Sequence, residues 1–318
     1  MDMIDQADHD ERTGGTDAQV EFDIKLDLAE AGFASFGARL GSGSDPLGDY
    51  LKGLERGETR RAIPRGEPFC VRLDGKNFSS FTRPLARPFD ARMSQAMVDV
   101  TRELVRETGA VMGYTQSDEI TLGFVYADDR SHPYLGGKVQ KLCSVPSGRA
   151  SSLFLMRALE VLPEAVARLV PSFDGRAFGV GDLETLAMCF VWRELDASRN
   201  AVSMAARAHF PHARLQGQST RAMQAMLVED KGVDFEDYPV FFRRGTYLRR
   251  ITESRLLSPE ELSRIPPGKR PQGPVVRSRV SEVDMPPVMD VMNPVAALVG
   301  GALPIPKERE PECGPWKR

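Results

Sequence analysis

Cysteine and histidine are scarce in this 318-residue chain, with four of each. Cys70, Cys143, Cys189 and Cys313 lie far apart and form no Cys-x-x-Cys pair. A structural zinc site is therefore not expected, and the reading is a reduced, cytosolic protein. Long apolar runs are missing as well. None reaches the roughly 18 residues of a membrane-spanning helix, so no membrane association is expected. The opening Met1-Asp2-Met3-Ile4-Asp5 is acidic and carries no basic region leading into an apolar stretch, so it does not read as a secretory signal. What is present is a hydrophobic content of 41%, enough for a real core in one large domain or two small ones.

The net charge of −3 conceals an asymmetry. Residues 1–50 hold 12 acids against 3 bases, which leaves 33 acids and 39 bases in the rest. A mildly basic body suits a polyanionic substrate, although a mixed solvated surface accounts for it almost as well. Residues 1–45 end in Gly41-Ser42-Gly43-Ser44-Asp45 and read as an acidic, flexible leader. Residues 251–318 contain 12 of the 23 prolines and read as a mostly irregular tail. The ordered body is then about 46–250.

Within that body, Pro46 to Glu55 reads as a short helix exposing Tyr50, Leu51 and Leu54, and Phe69–Leu73 as a strand. Asp90 is a suitable N-cap for a helix to Thr108 with apolar residues at helical spacing, stopped by Gly109. Val111–Gln116 and Glu119–Tyr126 read as a hairpin, 138–162 as a helix bent at Pro146, and Ser172–Val180 as a strand. This β-α-β-β-α-β order gives an α+β, ferredoxin-like palm domain over 46–180, an antiparallel sheet with helices on one face. Asp182 caps a long helix to His209, and Ser219 or Thr220 caps another that stops at Gly232. The run Phe241 to Arg250 reads as a basic strand. Residues 181–250 thus form an appended, mostly helical half.

Two carboxylates stand out. Asp74 ends the first strand, and Asp118 sits in the turn Gln116-Ser117-Asp118-Glu119 at the tip of the hairpin. In a ferredoxin-like order the first strand lies beside that hairpin, so both converge on one sheet edge. Magnesium takes hard oxygen ligands, usually one or two protein carboxylates with water and phosphate oxygens. Two such ions there would activate an attacking hydroxyl and stabilise a leaving oxygen. Gly75 lets the backbone approach an ion or phosphate, and Glu119 tunes the site or binds metal itself. Arg72 shares a strand face with Asp74. Lys76 and Asn77 follow in the turn, and Arg87, Lys138 and Lys141 are further candidate phosphate clamps. Phe78 is a candidate base-stacking ring, and Arg243, Arg244, Arg249 and Arg250 suit an RNA backbone. Against this stand ordinary readings: Asp-Gly is a common turn signal, and isolated surface cations and single aromatics more often serve solvation and core. His209 and His212 receive no catalytic role.

The residues that carry this chemistry also resemble a known family. Val71-Arg72-Leu73-Asp74-Gly75-Lys76-Asn77-Phe78, then Phe81-Thr82 and Arg87-Pro88-Phe89-Asp90, resemble the R-[IL]-D-G-[RK]-x-F…F…[KR]-P-x-D segment of the tRNA-histidine guanylyltransferase superfamily. Tyr114 to Glu119 is similar to its Y-x-Q-S-D-E hairpin. Phe173-Asp174-Gly175-Arg176, Trp192-Arg193 and Arg244-Gly245-Thr246 follow in the family's order. The resemblance covers about 46–250. It implies reverse-polarity nucleotide addition: a nucleoside triphosphate activates an RNA 5′ end, and the 3′-hydroxyl of an incoming nucleotide attacks it. It further implies two magnesium ions held by Asp74, the Gly75 carbonyl and Asp118, with Glu119 adjacent and needed. GTP and ATP are the implied substrates, with contacts from Arg72, Lys76, Asn77, Phe78, Arg87, Ser117, Lys141 and Arg176. Transfer RNA is the implied partner, and a homo-oligomer, a tetramer, the implied assembly.

One segment departs from the pattern. Eukaryotic members carry H-I-N-N after the tryptophan-arginine pair, whereas this chain has Asp196-Ala197-Ser198-Arg199-Asn200-Ala201. That resembles the bacterial and archaeal branch, which favours templated 5′-end extension and repair of tRNA. Two other classes compete. A palm-type nucleotide cyclase or diguanylate cyclase would lack the helical half, and a non-catalytic RNA-binding protein would bind tRNA without needing the aspartates.

Overall fold

The computed structural model describes residues 45–126 and 132–308. The acidic leader through Ser44 and Cys313 therefore lie outside the described residues. The chain divides after Glu58 into two units. In the first, helix α1 (Pro46–Thr59) starts where Asp45 accepts the Gly48 amide at 2.9 Å, and it leaves Leu51 and Leu54 exposed. It runs four residues past the expected end.

The second unit is built on one six-stranded antiparallel sheet in the order β4-β1-β3-β2-β5-β6. The strands are β1 (Phe69–Gly75), β2 (Met112–Gln116), β3 (Glu119–Phe124), β4 (Phe173–Gly179), β5 (Thr246–Arg255) and β6 (Val275–Val283). The first four, in the order 4-1-3-2, are the expected βαββαβ core. A short helix, α2 (Phe78–Phe81), follows β1. Helix α3 (Ala91–Thr108) begins where Asp90 accepts the Arg92 amide and ends at Gly109. Helix α4 (Val139–Val161) contains Pro146, and the short α5 (Pro163–Val166) follows it. Side chains alternate across a strand. Phe69, Val71 and Leu73 of β1 and Ile120, Leu122 and Phe124 of β3 therefore enter one core with α3 and α4.

The other sheet face carries a third layer. Helix α6 (Leu183–His209), capped by Asp182, lays Leu186, Ala187 and Phe190 on Cys70, Met112 and Tyr114. Gly123 permits this approach, since a Cβ there would lie 2.9 Å from the Phe190 ring. At 27 residues α6 is about 40 Å long. Its second half runs past the sheet edge. There Ala201, Val202, Ala205 and Ala206 gather a separate cluster with Phe210, α7 (His212–Leu215), α8 (Thr220–Lys231) and α9 (Val240–Arg244). Cys70, Cys143 and Cys189 are free thiols.

Two expectations change. Residues 241–250 are not one strand. Pro239 and Gly245 bracket α9, which buries Phe242, and β5 begins only at Thr246. The basic side chains in that run mostly bond inward. Arg244 donates to the Met285 carbonyl, Arg249 is buried against the Ala302 carbonyl at 2.6 Å, and Arg250 caps the end of α3 at the Arg106 carbonyl. Arg243 pairs with Glu236. They are structural fasteners rather than an RNA surface. Nor is 251–318 mostly irregular where it is described. β5 continues to Arg255 and pairs with β6 through nine positions, from Tyr247↔Val283 to Arg255↔Val275. Two small helices, α10 (Pro259–Ser263) and α11 (Pro294–Leu298), flank β6, and Met285, Val288, Val291, Ala297 and Leu298 join the α6 core. Met285, Val288 and Val291 stand in apolar runs no longer than two, and the apolar run at 295–299 is too short and too close to prolines to announce a period.

Glu194 fastens this returning segment. Its buried carboxylate accepts the Tyr247 hydroxyl and the Val288 amide, each at 2.8 Å. Burial pushes its carboxyl above the ordinary range. Glu194→Ala is expected to cost about 1–3 kcal/mol in denaturant unfolding, because two buried donors lose their acceptor. Glu194→Gln keeps an acceptor oxygen without a desolvated charge and is expected to lose less than about 1 kcal/mol.

Candidate active site

The site lies at one edge of the sheet and follows from register. On the α6 side of β1 come Cys70, Arg72 and Asp74. Asp74 pairs with Glu119 on β3 and with Asp174 on β4, so three carboxylates stand abreast. Cross-strand neighbours sit with their Cβ atoms about 5 Å apart. One row back, Arg72 has Thr121 and Arg176 as partners.

The hairpin tip closes on this row. Ser117 adopts a left-handed φ of 54°, which completes the tight turn between β2 and β3. The Gly75 amide donates to the Asp118 carbonyl at 3.0 Å, tying the end of β1 to the turn. A Cβ on Gly75 would come within 2.4 Å of the Phe78 ring, so the close approach needs glycine. The Ser117 hydroxyl donates to Asp118 Oδ1 at 3.0 Å. Burial, with a smaller contribution from the Asp74 charge, raises the Asp118 carboxyl above its ordinary 3.8. Burial likewise raises Glu119 above 4.5, opposed by Arg193, whose Nε donates to Glu119 Oε1 at 2.5 Å. The two aspartates thus share one electrostatic environment.

Among the described residues no three His, Cys, Asp or Glu side chains are close enough to chelate an ion unaided. Magnesium usually leaves part of its shell to water and phosphate, so two carboxylates and a carbonyl could hold it only together with such ligands. Asp74, Asp118 and the Gly75 carbonyl are hard oxygens on a fixed backbone, and a raised carboxylate gains when a cation arrives.

The other expected residues separate. Lys76 and Asn77 are exposed in the loop after β1, beside the carboxylate row. Arg176 is exposed and lies 3.7 Å from Asp174. Phe78 is not a base platform. It is 3% exposed and packs on Phe81, Phe154 and Phe173 in the core. Lys138 and Lys141 start α4 at the opposite end of the sheet. Further along that helix, Ser151 accepts the Phe173 amide beside Gly75, and ten residues of helix put Lys141 about 15 Å back from that level. Within one chain Lys141 does not join Asp74, because α4 must return from the far end of β3 before it can cover the sheet.

Arg87 and Ser117 instead border a pocket of about 600 Å³, counting its open mouth. Phe89, Met204, Phe241 and Phe242 supply its apolar wall. Those residues come from three distant segments, and only the Arg87-Pro88-Phe89-Asp90 motif carried a local hint. Asp174 was similarly legible only as part of a motif until register set it beside Asp74.

A palm sheet with a carboxylate edge and an adjoining pocket is the architecture of a nucleotidyltransferase. The comparisons agree. The tRNA(His) guanylyltransferase family model matches residues 48–181. A bacterial tRNA(His) guanylyltransferase-like protein in complex with ATP superposes with a TM-score of 0.66 at 29% identity, over 80% of this chain and 98% of that one. A complex of such a protein with GTP gives 0.60 at 26%, over 80% and 99%. An uncharacterized protein of Acanthamoeba polyphaga mimivirus is 30% identical over 65% of this chain and 78% of its own length. A probable tRNA(His) guanylyltransferase of Mus musculus is 24% identical over 59% and 68%. This chain belongs to the tRNA(His) guanylyltransferase superfamily.

Because Asp118 and Glu119 hold protons more tightly folded than unfolded, their contribution to stability is present below the unfolded values and lost as pH rises through the folded ones. In chelator at pH 8, Asp118→Asn is expected to raise Tm by roughly 2–4 °C, with the gain vanishing near pH 4. Magnesium should raise the wild-type Tm and leave the variant's unchanged. Gly75→Ala is expected to destabilise by about 1–3 kcal/mol, measured by urea unfolding, since the Phe78 ring must move.

Proposed function

We propose that this chain is a magnesium-dependent enzyme that adds nucleotides, guanosine prominently, to the 5′ end of tRNA, in the templated extension and repair branch of its superfamily. The observation that carries the reading is the convergence of Asp74 and Asp118, tied by the 3.0 Å bond from the Gly75 amide to the Asp118 carbonyl. The names of the neighbouring structures, bound to ATP and GTP, support nucleotide substrates. The Ser198-Arg199-Asn200-Ala201 segment in place of H-I-N-N supports the branch.

The residues divide the work by position. Asp74, Asp118 and the Gly75 carbonyl hold two magnesium ions. When bound, these lower the pKa of the attacking hydroxyl and neutralise charge on the triphosphate. Arg72, Lys76 and Asn77 bind phosphate oxygens from the β1 end, and Arg176 from the β4 side. Arg87 and Ser117 direct the nucleotide into the adjoining pocket, where Phe89 and Phe241, rather than the buried Phe78, flank its base. Arg193 fixes Glu119 so that its carboxylate faces the metal edge. The 5′ phosphate of the RNA is first joined to a nucleoside monophosphate with release of pyrophosphate. The 3′-hydroxyl of the incoming nucleotide then attacks that phosphate, and the monophosphate leaves.

Residues 46–180 act as the catalytic palm and 181–250 as its RNA-facing extension. A cytoplasmic homo-oligomer, tetrameric by resemblance, is part of the reading. It offers a way for Lys141 of one copy to serve another.

The test is extension of 5′-labelled tRNA with GTP, ATP and magnesium. Wild type is expected to lengthen the RNA, and Asp118→Ala to slow this by about a hundredfold or more. Equal extension by the variant, or a cyclic product from nucleotide alone, overturns the proposal.

A further inference from the structure

We propose that Trp192 is a positioning residue that holds the Arg72 guanidinium, unpaired, toward the phosphates of the bound nucleotide. The inference deepens the reading above and rests on its placement of phosphate beside Arg72. Trp192 lies on α6 where that helix crosses the carboxylate edge, and its indole is 49% exposed. Two guanidinium groups lie over its ring, Arg72 at 5.2 Å and Arg193 at 4.5 Å from the centroid.

The two arginines are held differently. Arg193 directs its donors to Glu119 Oε1 at 2.5 Å and Asp196 Oδ2 at 3.0 Å, so its charge is already matched. Arg72 forms no salt bridge among the described residues, although its charge reaches Glu119 and favours that carboxylate, and its Nε is buried without any acceptor. Buried donors are almost always satisfied, so an orphan needs an explanation. Register supplies part of it. The residues opposite Arg72 are Thr121 and Arg176, while the carboxylates Glu119 and Asp174 stand one row further, opposite Asp74.

An aromatic face attracts a guanidinium through its quadrupole yet is only a weak acceptor for its N–H groups and carries no opposite charge. Trp192 therefore fixes the position of Arg72 without cancelling its charge. A carboxylate in that place would hold the arginine as firmly and remove its affinity for phosphate. Arg72 is thereby left as a preorganised hydrogen-bond donor for an anion beside the carboxylate edge, while Arg193 stays matched to Glu119 and Asp196.

The chain has two tryptophans, Trp192 and Trp316. With Trp316→Phe as background, emission reports Trp192 alone. Magnesium-GTP and inorganic tripolyphosphate are both expected to change that emission saturably, and Arg72→Ala is expected to abolish the tripolyphosphate response. In extension assays, Trp192→Leu is expected to raise KM for GTP by about 5- to 30-fold with little change in kcat, and Trp192→Phe to raise it less than about threefold, as a retained aromatic face implies. The inference is overturned if equilibrium dialysis shows GTP bound while Trp192 emission stays fixed. It is also overturned if GTP moves the emission and tripolyphosphate does not, since the indole would then be sensing the base. Absence of GTP binding in dialysis would instead remove the active-site reading and this inference with it. The emission arm needs no substitution at Trp192, so it stands even if Trp192→Leu fails to fold.

Discussion

The hydrogen bond from the Gly75 amide to the Asp118 carbonyl is the constraint on which the site depends. It joins the end of β1 to the tip of the β2–β3 hairpin at 3.0 Å, across a boundary where the sheet has already stopped. Without it, Asp74 and Asp118 would sit on two independent loops. With it, both carboxylates share a rigid platform, and the electrostatic cost of their proximity is stored in the fold. Burial and the neighbouring charge raise Asp118, which disfavours the apo site and favours any cation that relieves it. Gly75 makes the bond possible because a side chain there would collide with Phe78.

Helix α6 extends that constraint into three dimensions. Its first half covers the sheet, its middle brings Trp192, Arg193 and Asp196 to the carboxylate edge, and its second half builds the apolar cluster that walls the neighbouring pocket. One helix thus sets the distance between the ionic part of the site and its apolar part. Glu194 anchors the same helix to β5 and to the returning C-terminal segment, in the turn of helix next to Arg193.

Local signals in the sequence identified most of this framework. Asp90 and Asp182 cap the helices they were expected to cap, and of the candidates Ser219 and Thr220 it is Ser219 that caps the third, because an N-cap is a contact between a side chain and the amides just beyond it. The alternation in β1 and β3 sorted core residues from Arg72 and Asp74 for the same local reason. Lys141 and Phe78 show where that logic ends. Lys141 has the right charge and Phe78 sits beside Asp74 in sequence, yet one is carried to the far end of the sheet by the direction of α4, and the other turns inward to fill the aromatic core. The arginines of β5 and α9 are charged in any context. Whether they face RNA or fasten carbonyls of the C-terminal segment depends on a chain that returns tens of residues later.

By itself the sequence determined the βαββαβ order, the caps and the placement of Asp74 and Asp118 at a strand end and a hairpin tip, since each rests on a few adjacent residues and on strand or helix period. Tertiary structure alone decided three things. It set Asp174 in register beside Asp74, assembled the pocket from Phe89, Met204 and Phe241, and turned a proline-rich segment into β6 and a core. Each of these is a pairing between distant segments, whose free energy comes from burial and cross-strand bonding that no short window of residues contains.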